Sequence, residues 1–208
     1  YRIDLIIITV ALALPILINV VNGMNSRMLA DDYCFAATVQ NKGWMSALSY
    51  YYYNWQGTFS STAVQSAIAL TGGGLVRWLP ALIIVIWWAG LIYLIWQLCQ
   101  LLSFKTPFLF ATALATMVLY AILDGAPTMF QSIYWTSGSV TYSIPLVLFT
   151  LWGGLSLQAV RKSIPLYALG ISTPIIVITA GLLAGFSPIF AVFEITLLAL
   201  LLLALWFW

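Results

Sequence analysis

The sequence predicts an all-α fold, a polytopic transmembrane helical bundle with about six spans visible and one long outer loop that contains interfacial helices. Three observations predict it. The chain is 63% hydrophobic and only 6% charged, against about 25% charged in soluble domains. Its mean hydropathy is +1.06. The apolar residues gather into long runs rather than the alternation of an outer-membrane barrel, which leaves helices as the way to satisfy the backbone in lipid.

A span takes roughly 20 apolar residues to cross about 30 Å of hydrocarbon. Windows that approach this length run from Leu5 to Val21, Leu79 to Leu102, Phe108 to Leu123, Tyr142 to Val160 and Leu166 to Leu183, with a sixth from Ile189 to the end. Arg2 ahead of the first window gives it the look of a signal peptide. The run exceeds a usual signal core and no A-x-A site follows, so it reads as a retained span. Residues 1–208 form a single transmembrane domain in this reading, and Tyr1 at the start with an apolar run through Trp208 gives the expectation of a fragment of a longer protein.

Residues 22–78 are too polar to cross, holding Gly, Asn, Ser, Thr and Gln among a run of tyrosines, and read as a long extracytoplasmic or interfacial loop. Ala36 to Tyr53 and Thr58 to Leu70 have near-helical apolar spacing and suit helices lying in the headgroup region. Gly72 to Gly74 then breaks the chain, a hinge rather than a phosphate loop. Arg2, Lys105, Arg161 and Lys162 share one side if every window crosses, while Arg27, Lys42 and Arg77 fall on the other. Short cytoplasmic loops carry the basic bias, so the long loop is placed outside the plasma membrane. Cys34 and Cys99 then lie at opposite faces, too far apart to bridge. A net charge of +2 with scattered basic residues excludes nucleic acid as a partner.

The chain has no histidine, so proton transfer falls to a carboxylate or a tyrosine. The carboxylates are Asp4, Asp31, Asp32, Asp124 and Glu194. Asp4, beside Arg2, reads as a solvated flank. Asp31 and Asp32 stand in an apolar and aromatic setting, where adjacent like charges repel and resist desolvation, the circumstance in which one carboxylate serves as a general base. On a helix their side chains diverge by about 100°, so one faces a cavity while the other braces the backbone. An N-cap for a helix starting near Phe35 is the competing explanation. Asp124 ends the third window on the same side as the pair. The loop from Gln131 to Tyr142, with Tyr134 and Trp135, is rich in hydroxyls and rings; this suits a sugar, and equally an aromatic belt with loop serines. Glu194 falls inside the sixth window, where a charge is costly and points to function or to a protonated packing role. Zinc, haem, P-loop and Rossmann signatures are absent from the sequence.

An acidic pair with an aromatic next after the first span, interfacial helices, the patch Asn54-Trp55-Gln56-Gly57, then Tyr134-Trp135, Gly138 and Tyr142-Ser143-Ile144-Pro145 together resemble the GT-C superfamily of membrane glycosyltransferases. The likeness is greatest to bacterial glucosyltransferase-like polytopic proteins that use polyprenyl-phosphate sugars. The chain differs from that pattern at Thr58, after Gly57, and at Pro188, where relatives tend to carry arginine and an acidic residue respectively. The resemblance implies an inverting transfer outside the cytoplasm, from a lipid-linked sugar donor to a glycan or lipid acceptor hydroxyl, with membrane lipid as surroundings. Carried onto this chain, it implies Asp31 as the base and Asp32 as its partner. Arg77, Arg27 and Lys42 are the outer cations for the leaving phosphate, and Trp55, Tyr134, Trp135, Asp124 and Glu194 complete the substrate-binding set. No cofactor is required by the sequence, and a divalent cation is left open. Two other classes stay in view: a transporter or flippase with Glu194 and Asp124 in its path, and a non-catalytic subunit packing on a partner through Gly153 and Gly154.

Overall fold

A computed structural model describes residues 2–104, 107–161 and 172–207. Helix α1 (Arg2–Gly23) is followed by three short helices, α2 (Asp31–Lys42), α3 (Trp44–Asn54) and α4 (Phe59–Ala69). Then come α5 (Leu79–Leu101), α6 (Pro107–Asp124), a one-turn α7 (Thr136–Gly138) between two π-helical turns (Phe130–Tyr134 and Ser139–Ser143), α8 (Ile144–Arg161), α9 (Ser172–Ala184) and α10 (Pro188–Phe207). The described residues contain helices and connections and no strand.

Among the described residues three helices are long and apolar enough to cross a membrane: Arg2–Gly23, Leu79–Leu101, and Thr136–Arg161, which runs through the second π-helical turn. Phe108–Asp124 and Pro188–Leu197 are shorter apolar helices. Residues 166–171 of the fifth window, together with Lys105 and Lys162, lie outside the described residues. Helix α5 is the hub, packing against α1, α6 and α8, with α9 joining α8 to α10. Ile16, Ile84, Trp87, Leu119 and Val140 sit at the centre of the core. Trp88 Nε1 donates to Thr116 Oγ1 at 3.0 Å between α5 and α6, and Tyr93 Oη to Gln158 Oε1 at 2.7 Å between α5 and α8. Each bond pairs groups that hydrocarbon would leave unpaired. A Cβ on Gly154 would lie 2.5 Å from Tyr93 Cδ1, and one on Gly153 3.3 Å from Leu94 Cδ1. The small-residue face of α8 is therefore occupied by α5 of the same chain.

Outward, α1 presents Ile3, Ile7, Val10, Leu14, Ile18 and Val21 uncovered. Only 6% of its apolar window is buried. A stripe of this size has lipid as its natural neighbour.

The short helices differ from expectation in two ways. The helical run expected from Ala36 to Tyr53 is two helices, because Gly43 takes φ +76° between them, a left-handed conformation that side-chain-bearing residues avoid. Helix α2 begins at Asp31 rather than near Phe35, because Asp32 anchors its first turn from inside. The stretch from Gln131 to Tyr142, expected as a loop, is helical on both sides of Trp135, whose own backbone is extended at φ −88° and ψ 123°. Its hydroxyls fold back onto backbone carbonyls: Ser132 Oγ donates to Thr128, Ser139 Oγ to Thr136, Thr141 Oγ1 to Ser137, and Ser143 Oγ to Ser132.

Candidate functional site

Helices α2, α3 and α4 pack on one another over the end of the bundle, and α2 also touches α7. Between them and the turn around Trp135 lies a cavity of about 480 Å³. Its wall is polar and aromatic, formed by Asp31, Thr38, Tyr51, Trp55, Gln65 and Trp135, with Ser137 and Tyr142 beside them. The Phe35 and Tyr51 rings stack at 4.1 Å, and the Thr38 and Tyr51 hydroxyls are 3.0 Å apart. Burial pushes the Tyr51 phenol up from its ordinary value, against the opposing hydrogen bond from Thr38, so it stays a neutral hydroxyl.

The two aspartates have different surroundings. Asp31 is exposed and lines the cavity. Asp32 is 5% exposed. Its Oδ1 accepts from Ser137 N at 3.0 Å and Ser137 Oγ at 2.6 Å, and its Oδ2 from Leu29 N at 3.0 Å. Trp135 Nε1 adds a donation to the Leu29 carbonyl at 3.3 Å. Asp32 thus ties the first turn of α2 to a segment more than a hundred residues later, which sets Asp31 against Trp135 and Ser137 across the cavity. Immediately before Asp31, Ala30 takes φ +41°, a strained value for an alanine that persists when its surroundings hold it.

A second cavity of about 510 Å³ adjoins the first. Trp87, Ile122, Leu123, Pro127, Met129 and Leu146 make it largely apolar, with Gln131 and Ser132 among its few polar members. Trp135, Gly138 and Tyr142 belong to both walls. Gly138 has an ordinary φ of −68°, so its requirement is space: a Cβ there would fall onto the Gln131 carbonyl oxygen and lie 3.2 Å from Trp135 Cε3. Gly138→Ala is expected to displace one of these groups and lower stability by about 1–3 kcal/mol. Heat denaturation in detergent, followed by tryptophan fluorescence, measures this; an unchanged transition midpoint would show that the wall has slack.

The remaining sequence-derived residues are dispersed. Tyr134 lines neither cavity; its hydroxyl donates to Asn19 Oδ1 at 2.8 Å and fastens the turn to α1, and burial raises its phenol. Asp124 is exposed at the end of α6, outside both walls. Glu194 is buried within α10, its Oε2 without a hydrogen-bond partner, and lines neither cavity. Arg77 lies beside Trp78, with 5.6 Å from its Cζ to the ring, and Arg27 donates to the Ser26 carbonyl. Neither borders the cavities. Lys42 Nζ sits 4.5 Å over the Tyr50 ring, and Tyr50 borders the polar cavity. Cys34 and Cys99 are free thiols. Among the described residues no group of three His, Cys, Asp or Glu gathers as a metal site.

Ser137, Thr38, Tyr51 and Gln65 are site residues that sequence reasoning passed over. Ser137 lay in the hydroxyl-rich stretch, but nothing local distinguishes the one serine that meets Asp32. Gln65 carried a weak signal, an amide inside an otherwise small and apolar helical run. No family model, curated protein or solved structure matches the chain.

Proposed function

We propose that this chain is a GT-C-type membrane glycosyltransferase that moves a sugar from a polyprenyl-phosphate donor to an acceptor hydroxyl at the extracytoplasmic face of a bacterial plasma membrane. The observation that carries the reading is the pair of adjoining cavities. One has the more polar wall and holds an exposed carboxylate, the other is largely apolar, and they share Trp135, Gly138 and Tyr142. Two chambers with a common wall, the first richer in polar groups than the second, suit an amphiphile whose head and tail separate at that wall. In this reading α1, α5, α6, α8, α9 and α10 all cross the bilayer, and α2, α3 and α4 lie over its outer surface.

The Asp31 carboxylate takes the acceptor hydroxyl's proton as that oxygen attacks the anomeric carbon. The bond from that carbon to the phosphate oxygen breaks, and polyprenyl phosphate leaves with the electron pair, inverting the configuration. Trp55 and Trp135 offer rings to the C–H face of the sugar. Lys42, held against Tyr50, is the cation in contact with the cavity lining, while Arg27 and Arg77 add positive field to the same end of the bundle.

The test is reconstitution of the chain in liposomes with a panel of polyprenyl-phosphate hexoses and hydroxyl acceptors. Acceptor-dependent release of polyprenyl phosphate is expected. The rival reading of a transporter draws on Glu194, buried with an unpartnered oxygen. Intact donor, together with ion-driven flux abolished by Glu194→Gln, would establish that rival instead.

A further inference from the structure

Gln65 sits on the buried side of α4, 5% exposed. It projects between the polar cavity and a much smaller void of about 10 Å³ beneath it. Its Oε1 has no hydrogen-bond partner. A buried amide left unpaired costs stability, roughly 1–3 kcal/mol for each orphaned group, so its retention calls for a partner that arrives from elsewhere. The void supplies none in this structure: Met28, Phe35, Ile68, Ala69 and Val76 make most of its wall, Thr136 on that wall makes no bond to Oε1, and its volume is at the lower limit for holding a single water, which needs about 10–15 Å³. Asp32, also on that wall, directs its two oxygens at Leu29 and Ser137. Gln65 also lines the polar cavity, so an amide turned toward a ligand there gains the partner it lacks.

We infer that Gln65 is a specificity-determining residue whose amide hydrogen-bonds one hydroxyl of the sugar in the polar cavity. This rests on the glycosyl-transfer reading and deepens it by naming the group that selects among sugars. A primary amide suits the task because its oxygen accepts and its nitrogen donates, so a hydroxyl is engaged from either end. The sugar bearing that hydroxyl fills the vacancy; a sugar lacking it leaves the amide buried and unpaired, which is the basis of discrimination.

Purified full chain in proteoliposomes tests this with undecaprenyl-phosphate-linked glucose, galactose and mannose, followed by the single-deoxy analogues of the tightest binder. Binding is read from the fluorescence of cavity tryptophans and transfer from released lipid phosphate. The wild type is expected to lose roughly tenfold in affinity for one deoxy analogue, and Gln65→Leu to lose roughly tenfold for the parent sugar. The deoxy change and the substitution should not add, because they remove the same bond. Gln65→Leu should also unfold at the same temperature as wild type or higher, since it removes an orphaned polar group; a purely structural residue would behave in the opposite way. Unchanged affinity in Gln65→Leu, additive losses, or equal weakening against every analogue overturns the assignment to Gln65 and leaves the transfer reading standing. Sugar-lipid binding without transfer by the wild type overturns the transferase reading, while the deoxy series still decides Gln65. Failure of every sugar lipid to bind overturns both.

Discussion

Asp31→Asn is expected to lower the rate of sugar transfer by roughly a hundred- to ten-thousand-fold, the usual contribution of a positioned general base, with thermal unfolding in detergent unchanged. The expectation follows from what Asp31 touches. It is exposed to the polar cavity and makes no side-chain hydrogen bond within the described residues, so the amide removes no structural contact. The shape of the side chain persists; its capacity to take a proton does not. Donor affinity should change little, because a loss confined to the transition state appears in kcat rather than in binding. Asp4→Asn, in the first turn of α1, serves as a control and should transfer at the wild-type rate. Transfer at an undiminished rate by Asp31→Asn would remove the base from the mechanism, and with it the reason for placing catalysis in this cavity.

The parts of the fold that rest on hydrophobic run length were legible. The window from Leu79 to Leu102 is the helix Leu79–Leu101, and that from Phe108 to Leu123 lies within Pro107–Asp124. Thr58 to Leu70 anticipates Phe59–Ala69. Run length works here because a long apolar segment satisfies its own backbone hydrogen bonds as a helix, whatever surrounds it. The stretch around Trp135 was not legible as helix, since its hydroxyls read as loop-forming; their pairing with backbone carbonyls depends on burial that no local pattern reveals. Long-range partners were hidden for the same reason. Asn19 and Tyr134 are 115 positions apart, and Asp32 and Ser137 are 105 apart; either serine or tyrosine alone is an ordinary loop residue. The acidic pair was visible as a pair. The division of labour between an exposed Asp31 and an enclosed Asp32 required the position of Ser137. Cations were the least legible: Arg77 was counted with the site by side of membrane alone, and that is too coarse to decide whether a side chain borders a cavity.

Asp32→Ala is expected to destabilise the chain by about 3–5 kcal/mol, because it leaves three hydrogen-bond donors unpaired at roughly 1–3 kcal/mol each. The substitution strands the Ser137 N–H and hydroxyl and the Leu29 N–H. Asp32→Asn should retain part of this. Its oxygen can still accept from Ser137, while its NH₂ group would face the Leu29 N–H donor to donor, so a loss of about 1–3 kcal/mol is expected. Ser137→Ala removes only the hydroxyl bond and should cost about 1 kcal/mol. The order alanine, asparagine, then the serine variant follows from the number of donors left unpaired, and chemical denaturation of the three proteins in detergent measures it. Ala30→Gly adds an independent check on the same tie. A glycine adopts the φ of +41° without the alanine's strain, so it should stabilise the wild type by several tenths to about 1 kcal/mol. In the Asp32→Ala background that gain should shrink, because the turn is then free to relax out of the strained conformation. A gain equal in both backgrounds would mean that the strain at Ala30 is held by something other than Asp32, and the carboxylate would lose its role as the element that sets Asp31 opposite Trp135.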